Sequence, residues 1–370
     1  MTRLAIFLLI VLSVWTLMHG YVFWRISGIP FFAASAARRG LMIAAAALWF
    51  SYPLARILSS RAGRLGFPLE AAGSVWIGVL FLLFVCLLAA DVATGFGFLF
   101  REQTPRIRTV AMAGAGLLSL GALVQGLRPP AIAERTVEMK GLRPEHDGLV
   151  IVQLSDLHVG PLLGEAWLLR RIAQVDSMSP DLVVVTGDLL DSDAARAEAL
   201  LPALRRLRAP LGVFAVTGNH EFYAGLSRSV GILEAAGFQV LRDAAAEAAP
   251  GLVIAGVDDL TARRQLGEGD GFVDRALSGR PAGVTVYLSH SPSEVERAAA
   301  LGVDLVLSGH THDGQIWPFT YLVKLAYPRV TGVHRVGGAT LVVSRGTGFW
   351  GPPMRLFRRA EILKITLRGV

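Results

Sequence analysis

The stretch VDLVLSGHTH, residues 303–312, joins an apolar run to a polar cluster that contains two histidines. A short, continuous run of Val and Leu is typical of a sheet strand that is buried on both faces. His310 and His312 stand two positions apart, so on an extended segment their side chains point to the same side. The stretch therefore predicts a buried strand whose end presents two imidazoles to neighbouring positions of one site.

The same pattern of an apolar run followed by a polar cluster recurs through the second half of the chain. Six runs fit it: LVIVQL (149–154), DLVVVT (181–186), GVFAVT (212–217), GLVIAGV (251–257), GVTVYL (283–288) and VDLVL (303–307). Helix-like segments lie between them, such as EAWLLRRIAQVDSM (165–178) and AARAEALLPALRRLR (194–208). This alternation predicts an α/β domain, and ATLVVSRG and AEILKITL near the C-terminus predict two further strands.

Five of the six runs end in Asp, Asn or His, and these ends hold five of the eight histidines. Ligands of α/β sheets bind beyond the carboxyl ends of the strands, so the clusters are expected to converge on one pocket. A shell of imidazole, carboxylate and amide oxygen suits divalent ions such as Mn, Fe or Zn. Seven candidate ligands exceed the set of about four that one zinc ion takes. Two ions that share a bridging carboxylate account for them, and paired ions are a common device for hydrolysing phosphate esters.

Five ordered motifs resemble those of the calcineurin-like metallophosphoesterases: D-x-H (156–158), GD-x-x-D (187–191), GNHE (218–221), SH (289–290) and GHTH (309–312). The resemblance covers about 149–368 and implies a four-layer α/β/β/α sandwich, with two sheets face to face and helices outside. It also implies two divalent metal ions, which can be Mn, Fe, Zn or Mg. The four N-terminal spans resemble those of a branch of membrane proteins that carry such a domain. That branch is similar to the group containing certain UDP-2,3-diacylglucosamine hydrolases, which is a narrower resemblance.

The resemblance assigns roles to eight residues. It implies that one ion is bound by Asp156, His158 and His312, that the other is bound by Asn219, His290 and His310, and that Asp188 bridges the two. His220 would bind no metal and would act on the substrate, as a general acid or by stabilising the phosphoryl oxygens. The ligands and His220 need hydrogen-bond partners, for which Asp191, Thr311 and Glu221 are all candidates.

Three acidic residues near these motifs do not match the family's ligand positions. Asp313 stands where such proteins often have Gly, and both residue types suit turns with unusual backbone angles. A carboxylate at that position could instead repel a phosphate or bind a basic group of the substrate. Asp258 and Asp259 end the fourth apolar run, and we interpret them as turn residues.

The apolar surplus of the chain, which is 53% hydrophobic, lies in its first third. Segments of about 20 apolar residues are long enough to span a bilayer as helices. Four segments meet this length: 4–24, 41–58, 71–92 and 109–127. Pro53 and Arg56 interrupt the end of the second, and the first could instead be a signal peptide cleaved near Ala34-Ser35-Ala36. We therefore predict a four-helix transmembrane bundle (1–128), a linker with an edge strand (129–148) and a metallophosphoesterase domain (149–370).

The net charge of the chain is concentrated in the same first third. Residues 1–128 carry 11 Lys+Arg and 3 Asp+Glu, which leaves 25 basic and 26 acidic residues in the remainder. The near-neutral second part argues against a nucleic-acid partner. Loops on one side of the predicted spans carry 8 basic residues against 6 on the other, which favours a catalytic domain facing the cytoplasm. The lone cysteine, Cys86, allows no disulfide framework.

These observations predict an integral membrane enzyme that hydrolyses a phosphodiester or pyrophosphate bond, with a lipid or nucleotide-sugar lipid as a candidate substrate. A phosphoprotein phosphatase or nuclease of the same fold, or a non-catalytic metal-binding membrane module, are the alternatives. FWGPPM (349–354) is a candidate apolar lip of the site, and 321–336 a candidate mobile flap. Four arginines are candidates for anion recognition: Arg345, Arg355, Arg358 and Arg359. The oligomeric state stays open.

Overall fold

The structure is a computed structural model that describes residues 3–32, 34–62, 66–160, 162–191 and 198–370. The first part of the helix predicted over 194–208, and Arg64, which belongs to the loop charge count, lie outside the described residues. The chain forms two compact units. The helical unit comprises Met1–Arg128 with Gly351–Phe357, and the sheet unit comprises Pro129–Trp350 with Arg358–Val370.

The described part of the helical unit contains four long helices. They are α1 (Arg3–Ser27), α2 (Ser35–Ala62), α3 (Gly66–Ala93) and α4 (Thr104–Leu127). Helices form here because Leu, Ala, Val and Phe dominate these segments, and a helix that is apolar on most of its faces satisfies its own backbone hydrogen bonds. Many large apolar side chains stay exposed, among them Leu17, Ile43 and Leu117, as expected for a surface that faces lipid.

Three of these helices, within the described residues, are long and apolar enough to cross a membrane: Leu9–Ser27, Pro68–Ala93 and Thr104–Leu127. The prediction of four spans is therefore wrong for the second segment. Helix α2 has a high share of Ala, which is less apolar than Leu or Val, and it contains Pro53. It also has Arg38 and Arg39 in its first turns, which makes its insertion into hydrocarbon less favourable.

A buried ion cluster ties three helices of this unit together. Asp91 on α3 is fully buried, and its Oδ2 lies 2.5 Å from the hydroxyl of Tyr21 and 2.5 Å from Nε of Arg25. Its other oxygen accepts from Nε of Arg108 on α4 at 2.9 Å. The two carboxylate oxygens are thus matched by donors from α1 and α4.

The segment Gly351–Phe357 packs within the helical unit. Arg355 donates its backbone N–H to the carbonyl of Ala122 at 2.8 Å, and the side chains of Met354 and Arg355 are buried. A Cβ at Gly126 would collide with Pro353, so the close approach of this segment to α4 requires glycine there. The candidate lip 349–354 is therefore divided, because Phe349 and Trp350 belong to the sheet unit.

Within its described residues, the sheet unit contains twelve strands. They are β1 (Ala131–Met139), β2 (Val150–Leu154), β3 (Leu182–Thr186), β4 (Val213–Val216), β5 (Gln239–Val240), β6 (Ala244–Ala249), β7 (Leu252–Gly256), β8 (Val284–Leu288), β9 (Leu305–Ser308), β10 (Gly332–Val336), β11 (Ala339–Val343) and β12 (Glu361–Gly369). Its helices are α5 (Glu165–Asp176), α6 (Leu201–Leu204), α7 (Asn219–Tyr223), α8 (Leu226–Ala235), α9 (Leu260–Leu266), α10 (Phe272–Leu277), α11 (Val295–Ala300) and α12 (Thr320–Ala326). The segment 321–336, a candidate flap, thus contains all of α12 except Thr320, together with β10.

The strands form two six-stranded sheets, in the orders β1-β12-β2-β3-β4-β5 and β10-β11-β9-β8-β7-β6. The six apolar runs found in the sequence are β2, β3, β4, β7, β8 and β9. Within each sheet these strands pair in parallel, so their carboxyl ends emerge at the same edge. Strand β12 pairs in parallel with β1 and antiparallel with β2.

Three clusters of buried apolar side chains hold the two sheets in place. One cluster draws on both sheets, with Ile151 and Val184 from the first and Ile254 and Val286 from the second. A second cluster joins β2, β3 and β4 to α5, α6 and α8, and a third joins β7, β8, β9 and β11 to α10 and α11. Each buried Val or Leu side chain contributes roughly 1.5–3 kcal/mol, so these clusters fix the strand ends and the loops that follow them.

Candidate metal centre

The loops after five strands bring all eight predicted site residues into one region. Three of these strands belong to the first sheet and two to the second, so both sheets supply side chains. Their order is Asp156 and His158 after β2, Asp188 after β3, Asn219 and His220 after β4, His290 after β8, and His310 and His312 after β9. All are buried except His310, which is half-buried.

The first group of candidate ligands is Asp156, His158 and His312, whose ligand atoms lie within 4.8 Å of one another. Nε2 of His312 is 3.2 Å from Nε2 of His158 and 3.3 Å from Oδ1 of Asp156. Burial lowers the pKa of His158 to about 3, so its imidazole is neutral and can offer a lone pair. The set is the one that the family resemblance implies for one ion.

The second group is Asp188, His290 and His310, with ligand atoms again within 4.8 Å of one another. Nε2 of His290 lies 3.1 Å from Oδ2 of Asp188 and 3.2 Å from Nδ1 of His310. The carbonyl of Thr186 accepts from Nδ1 of His290 at 2.8 Å, which leaves Nε2 of that ring directed at the group. Burial lowers the pKa of His310 to about 4.

Asp188 lies between the two groups. Its Oδ2 is 3.1 Å from Nε2 of His290 and 3.8 Å from Nε2 of His158, so one oxygen faces a histidine of each group. Its Oδ1 accepts from the backbone N–H of His220 at 2.9 Å. Burial opposes ionisation, but the charges of His290 and His220 hold the pKa of Asp188 well below its ordinary value. Asp188 is therefore a carboxylate in a position suited to bridge two cations.

Asn219 provides a test of whether this region fits metal ions. Its Oδ1 is buried and has no hydrogen-bond partner among the residues that the structure describes. A buried carbonyl oxygen without a partner costs about 1–3 kcal/mol, and a cation would satisfy it. The surrounding donors are imidazoles and carboxylates, the set that Mn, Fe and Zn accept. The residues present therefore fit two divalent ions.

A third group, His158, Asp191 and His220, has ligand atoms as close together as those of the other two. It shares His158 with the first group. Nδ1 of His220 lies 3.5 Å from Oδ1 of Asp191. Burial opposes it, but the charges of Asp188 and Asp191 raise the pKa of His220 above its ordinary value. A histidine that keeps its proton beside a carboxylate is better suited to donate that proton than to bind a metal.

The structure distinguishes the three candidates for hydrogen-bond partners. Asp191 faces His220, as described above. Glu221 accepts from the backbone N–H groups of Asp188, Leu190 and Gly218 at 3.0, 3.0 and 2.7 Å, so it joins the loops after β3 and β4. The hydroxyl of Thr311 donates to the carbonyl of Val330 at 2.5 Å and so fixes the loop between the two histidines of the GHTH motif.

Five of the candidate ligands adopt left-handed backbone conformations. The φ values of Asp156, His158, Asp188, His310 and His312 are 53°, 46°, 49°, 69° and 48°. Such a conformation costs a residue with a side chain roughly 1–2 kcal/mol, and strain of this kind collects at functional sites. The expectation of an extended segment at 310–312 was therefore wrong, although its two histidines do enter different groups. Asp313 has a φ of 54°, a backbone conformation that glycine adopts without strain.

Two glycines of the motifs allow the loops to approach each other. A Cβ at Gly309 would collide with Oγ of Ser155 and Oδ2 of Asp156, and a Cβ at Gly218 would collide with Oδ1 of Asp188. Ser155 in turn donates to Oδ2 of Asp156 at 2.5 Å. Both glycines are therefore needed for the ligands to converge.

Three aromatic residues of the described part of the chain lie beside the histidines. Trp350 belongs to the candidate lip and Tyr327 to the candidate flap, whereas nothing in the sequence singled out Tyr223. The rings of Tyr223 and Trp350 lie 5.6 Å and 6.0 Å from the ring of His220, and the ring of Tyr327 lies 5.1 Å from that of His310. They come from distant parts of the chain, so no local pattern in the sequence joins them. They give the site an aromatic rim.

The four arginines proposed for anion recognition have different surroundings. Arg345 pairs with Glu361, Arg359 donates to the carbonyl of Pro129 at 2.7 Å, and Arg355 is buried in the helical unit. NH1 of Arg358 lies 2.8 Å from Oδ2 of Asp313, directly after the candidate ligand His312. The Asp313 carboxylate is thus neutralised by the protein's own cation, which weakens the idea that it repels phosphate.

Asp258 and Asp259 are buried but enter none of the three groups. Asp258 accepts from the hydroxyl of Thr217 at 2.7 Å and pairs with Arg242 and Arg263 at 2.9 Å and 3.0 Å. Asp259 caps α9 and accepts from the hydroxyl of Ser291, the neighbour of His290, at 2.8 Å. Both residues therefore shape the turn after β7, in line with the interpretation made from the sequence.

Comparison with known proteins places the chain in a family. The family model described as calcineurin-like phosphoesterase matches residues 149–314. A Danio rerio protein named transmembrane protein with metallophosphoesterase domain is 35% identical over 71% of this chain and 63% of its own length. A Bos taurus protein of the same name is 34% identical, over 82% of this chain and 74% of its own length. An uncharacterized metallophosphoesterase from Aquifex aeolicus is 37% identical, over 64% of this chain and 92% of its own length.

The chain thus spans less than two thirds of the Danio rerio relative and nearly all of the Aquifex aeolicus relative. The matched residues include every motif that forms the three groups, from Asp156 to His312. The chain belongs to the calcineurin-like phosphoesterase family.

Proposed function

We propose that this chain is a membrane-anchored, two-metal phosphoesterase that hydrolyses a phosphodiester or pyrophosphate bond of a lipid. The observation that carries the proposal is the position of Asp188, whose Oδ2 faces His290 and His158 from the two ligand groups. A carboxylate between two sets of imidazole and carboxylate donors is the arrangement that holds paired cations in phosphate ester hydrolases.

The residues have distinct roles in this proposal. Asp156, His158 and His312 hold one ion, Asn219, His290 and His310 hold the other, and Asp188 holds both. When bound, such ions, which can be Mn, Fe, Zn or Mg, would supply positive charge to the phosphoryl oxygens and would lower the pKa of a coordinated water. His220 gives its Nε2 proton to the leaving oxygen, because Asp191 faces its Nδ1 and favours the protonated ring.

Three observations support a lipid substrate. Three helices are long and apolar enough to cross a membrane, and two relatives are named transmembrane proteins. The aromatic rim of Tyr223, Tyr327 and Trp350 gives the site apolar surface for a substrate that is not fully hydrophilic. A pyrophosphate-linked lipid is one member of this class, by the narrower likeness to UDP-2,3-diacylglucosamine hydrolases that was drawn from the sequence alone.

Two further features belong to the same proposal. The three candidate spans put the two chain ends on opposite sides of the membrane, and the basic residues of the loop after the first span, among them Arg38, Arg39 and Arg61, then lie on the side of the sheet unit and favour the cytoplasm for it. The three apolar clusters support a helix, sheet, sheet, helix order of layers, since one cluster draws on both sheets and the others each join a sheet to helices.

The test is metal-dependent hydrolysis by the full chain in detergent micelles, after chelation and with or without added Mn²⁺. Bis(p-nitrophenyl) phosphate, p-nitrophenyl phosphate, a phosphopeptide, single-stranded DNA and a phospholipid form the substrate panel. We expect Mn²⁺-dependent cleavage of the diester and the lipid, abolished by Asp188→Asn and retained by Asp258→Asn. The matched control removes the charge of a buried carboxylate that lies outside the ligand groups.

Other outcomes would select the alternatives. Preference for the phosphopeptide or DNA would indicate a phosphoprotein phosphatase or a nuclease. Two bound ions per chain without hydrolysis of any substrate in the panel would indicate a non-catalytic metal-binding module.

A further inference from the structure

One segment of the sheet unit exposes an unusual run of large apolar side chains. In the 317–326 segment, Trp317, Phe319, Tyr321, Leu322 and Leu325 are 42%, 44%, 59%, 56% and 83% exposed. Other exposed large apolar residues of this unit, such as Leu266 and Val370, are separated along the chain. Contiguous exposed apolar surface marks an interaction site more often than scattered residues do.

The arrangement of these side chains is typical of an element that lies on a membrane surface. Tyr321, Leu322 and Leu325 stand at positions i, i+1 and i+4 of α12 and share one face of it. No residue of α12 is buried, so this short helix is not part of the core. The ammonium of Lys324 lies 5.8 Å from the ring centroid of Tyr321. Trp, Tyr and Lys side chains together are enriched at the level of lipid head groups.

The segment is attached firmly to the candidate metal centre. The hydroxyl of Thr320 donates to the carbonyl of Asp313 at 2.5 Å, directly after His312. A Cβ at Gly314 would collide with the backbone of Thr320, so the turn and the helix are in close contact. Gln315 accepts from the backbone N–H of Trp350 at 3.1 Å and donates to its carbonyl at 3.0 Å. Whatever binds the segment is therefore held close to His312 and to the rim residue Trp350.

The charge of the sequence around this segment indicates which kind of membrane surface it would bind. Residues 314–360 contain no Asp or Glu and seven Lys or Arg, although the chain beyond residue 128 is nearly neutral as a whole. Some of this charge is paired, as Arg329 is with Glu296 and Arg345 is with Glu361. Lys324, on the exposed helix, is available to a negative surface. Basic residues next to an apolar face favour anionic lipid.

We propose that the 317–326 segment inserts its apolar side chains into the surface of an anionic phospholipid bilayer and so holds the metal centre at that surface. The chain's own membrane helices keep a bilayer at high effective concentration, so a short segment is sufficient. The inference goes beyond the proposed function, because it concerns a contact with lipid and does not require that a lipid be the substrate.

The test uses the full chain in nanodiscs of phosphatidylcholine with phosphatidylglycerol, in a Cys86→Ser background with Leu325→Cys carrying an environment-sensitive fluorophore. We expect blue-shifted emission and at least twofold quenching by lipids with brominated acyl chains. Leu266→Cys is the matched control, because Leu266 is 66% exposed on another helix of the same unit. We expect that probe to stay in water and to be quenched by iodide.

A probe at position 325 that is quenched by iodide as strongly as the probe at 266, and not by brominated lipid, would overturn the proposal. Protection from iodide without quenching by brominated lipid would also overturn it, since it would indicate a protein partner. The same measurement on Asp188→Asn protein should give the same spectra. Failure of the proposed function, seen as absent hydrolysis, is thereby separated from failure of the membrane contact.

An independent variant tests the consequence for lipid hydrolysis. Leu325→Glu places a charge on the exposed face and should lower hydrolysis of a bilayer phospholipid at least fivefold while leaving hydrolysis of bis(p-nitrophenyl) phosphate unchanged. Leu266→Glu should change neither rate. If the wild-type protein cleaves the bilayer phospholipid, an equal rate for the Leu325→Glu protein would contradict the proposal, whereas absence of cleavage by the wild type counts against the proposed function alone.

Discussion

Two buried carboxylates in this molecule, Asp91 in the helical unit and Asp188 in the sheet unit, have partners of different kinds. Asp91 is met by Arg25, Arg108 and Tyr21. Asp188 is met by His290 and His158. A guanidinium keeps its proton at any physiological pH and cannot accept a metal, whereas an imidazole can give up a proton and bind one. Asp91 and Asp188 are buried to a similar extent. Their partners therefore distinguish Asp91, which belongs to a structural ion pair, from Asp188, which belongs to a candidate metal site.

The role of a buried carboxylate depends on the side chains around it and not on whether it lies in the helical unit or the sheet unit. Asp258 lies in the sheet unit, and in the sequence it stands between the GNHE and SH motifs. Its partners are nevertheless Arg242, Arg263 and Thr217, and none of them is a candidate metal ligand. It resembles Asp91 in this respect. We therefore expect Asp91 and Asp258 to act on stability, and Asp188 to act on metal content and catalysis.

The largest expected effect is that of Asp188→Asn. We expect hydrolysis to fall by about 10³-fold, because the bridging charge supports both ions and with them several kcal/mol of transition-state stabilisation. Elemental analysis should find fewer than two ions per chain. Unchanged metal content with lost activity would show that Asp188 does not bridge the ions.

Asp91→Ala should have the largest effect on stability. It leaves two guanidinium groups without their buried partner, and breaking a buried pair costs about 3–5 kcal/mol. We expect a clearly lower Tm of the full chain in detergent, with metal content unchanged in the folded fraction. Asp91→Asn, which retains a hydrogen-bond acceptor, should lower the Tm less. A Tm equal to that of the wild type in the alanine variant would refute a closed ion cluster.

Asp258→Asn should lower the free energy of unfolding of the sheet unit by about 2 kcal/mol, the magnitude of a charge-assisted hydrogen bond. Its catalytic rate with saturating Mn²⁺ should remain within a factor of two of the wild type. Thermal unfolding and hydrolysis of bis(p-nitrophenyl) phosphate measure the two quantities. Loss of one metal ion in this variant would show that Asp258, like Asp188, contributes to metal binding.

Asp191→Asn should lower kcat about tenfold, a part of the 10²–10⁴-fold that a positioned general acid contributes. The reason is that Asp191 orients His220 without binding an ion in our proposal, so metal content and KM should stay the same. In a His220→Ala background the same change should have no further effect on kcat. An additive loss, or one missing ion, would place Asp191 among the ligands.

The smallest effect is expected for Glu198→Gln. Its partner Arg228 lies 2.8 Å away, but both side chains are about half exposed, and exposed pairs contribute little to stability. We expect Tm, metal content and activity all to match the wild type within error. A measurable loss of stability would mean that exposure is a poor guide to the worth of ion pairs in this protein.

The strands that carry the ligands could be predicted from the sequence because they are buried on both faces. Their continuous Val and Leu runs end abruptly in Asp, Asn or His, as in the run before Asp188, and parallel pairing brings those ends to one edge. Strand β6 was not predicted, because its sequence AAAEAA has no pattern typical of a strand. It is a strand because it pairs with β7.

Other features depend on packing that no local pattern records. The left-handed backbone of His158 and His310 follows from loop closure around the site. The choice of Asp191 as the partner of His220 depends on how the loop after β3 runs from Asp188 to Asp191. Helix α2 was predicted to span a membrane from its length, but its arginines and Pro53 remove it from the candidates.

The position of β12 has a consequence for the biosynthesis of the protein. Glu361–Gly369 lies between β1 and β2, pairing with Ala131–Met139 on one side and with Val150–Leu154 on the other. On the ribosome, the four long helices and β1 are made well before this strand, so β1 waits for its neighbour through most of translation. The first sheet can close only when the last of its strands has left the exit tunnel, which makes folding of the sheet unit a late event compared with insertion of the helices.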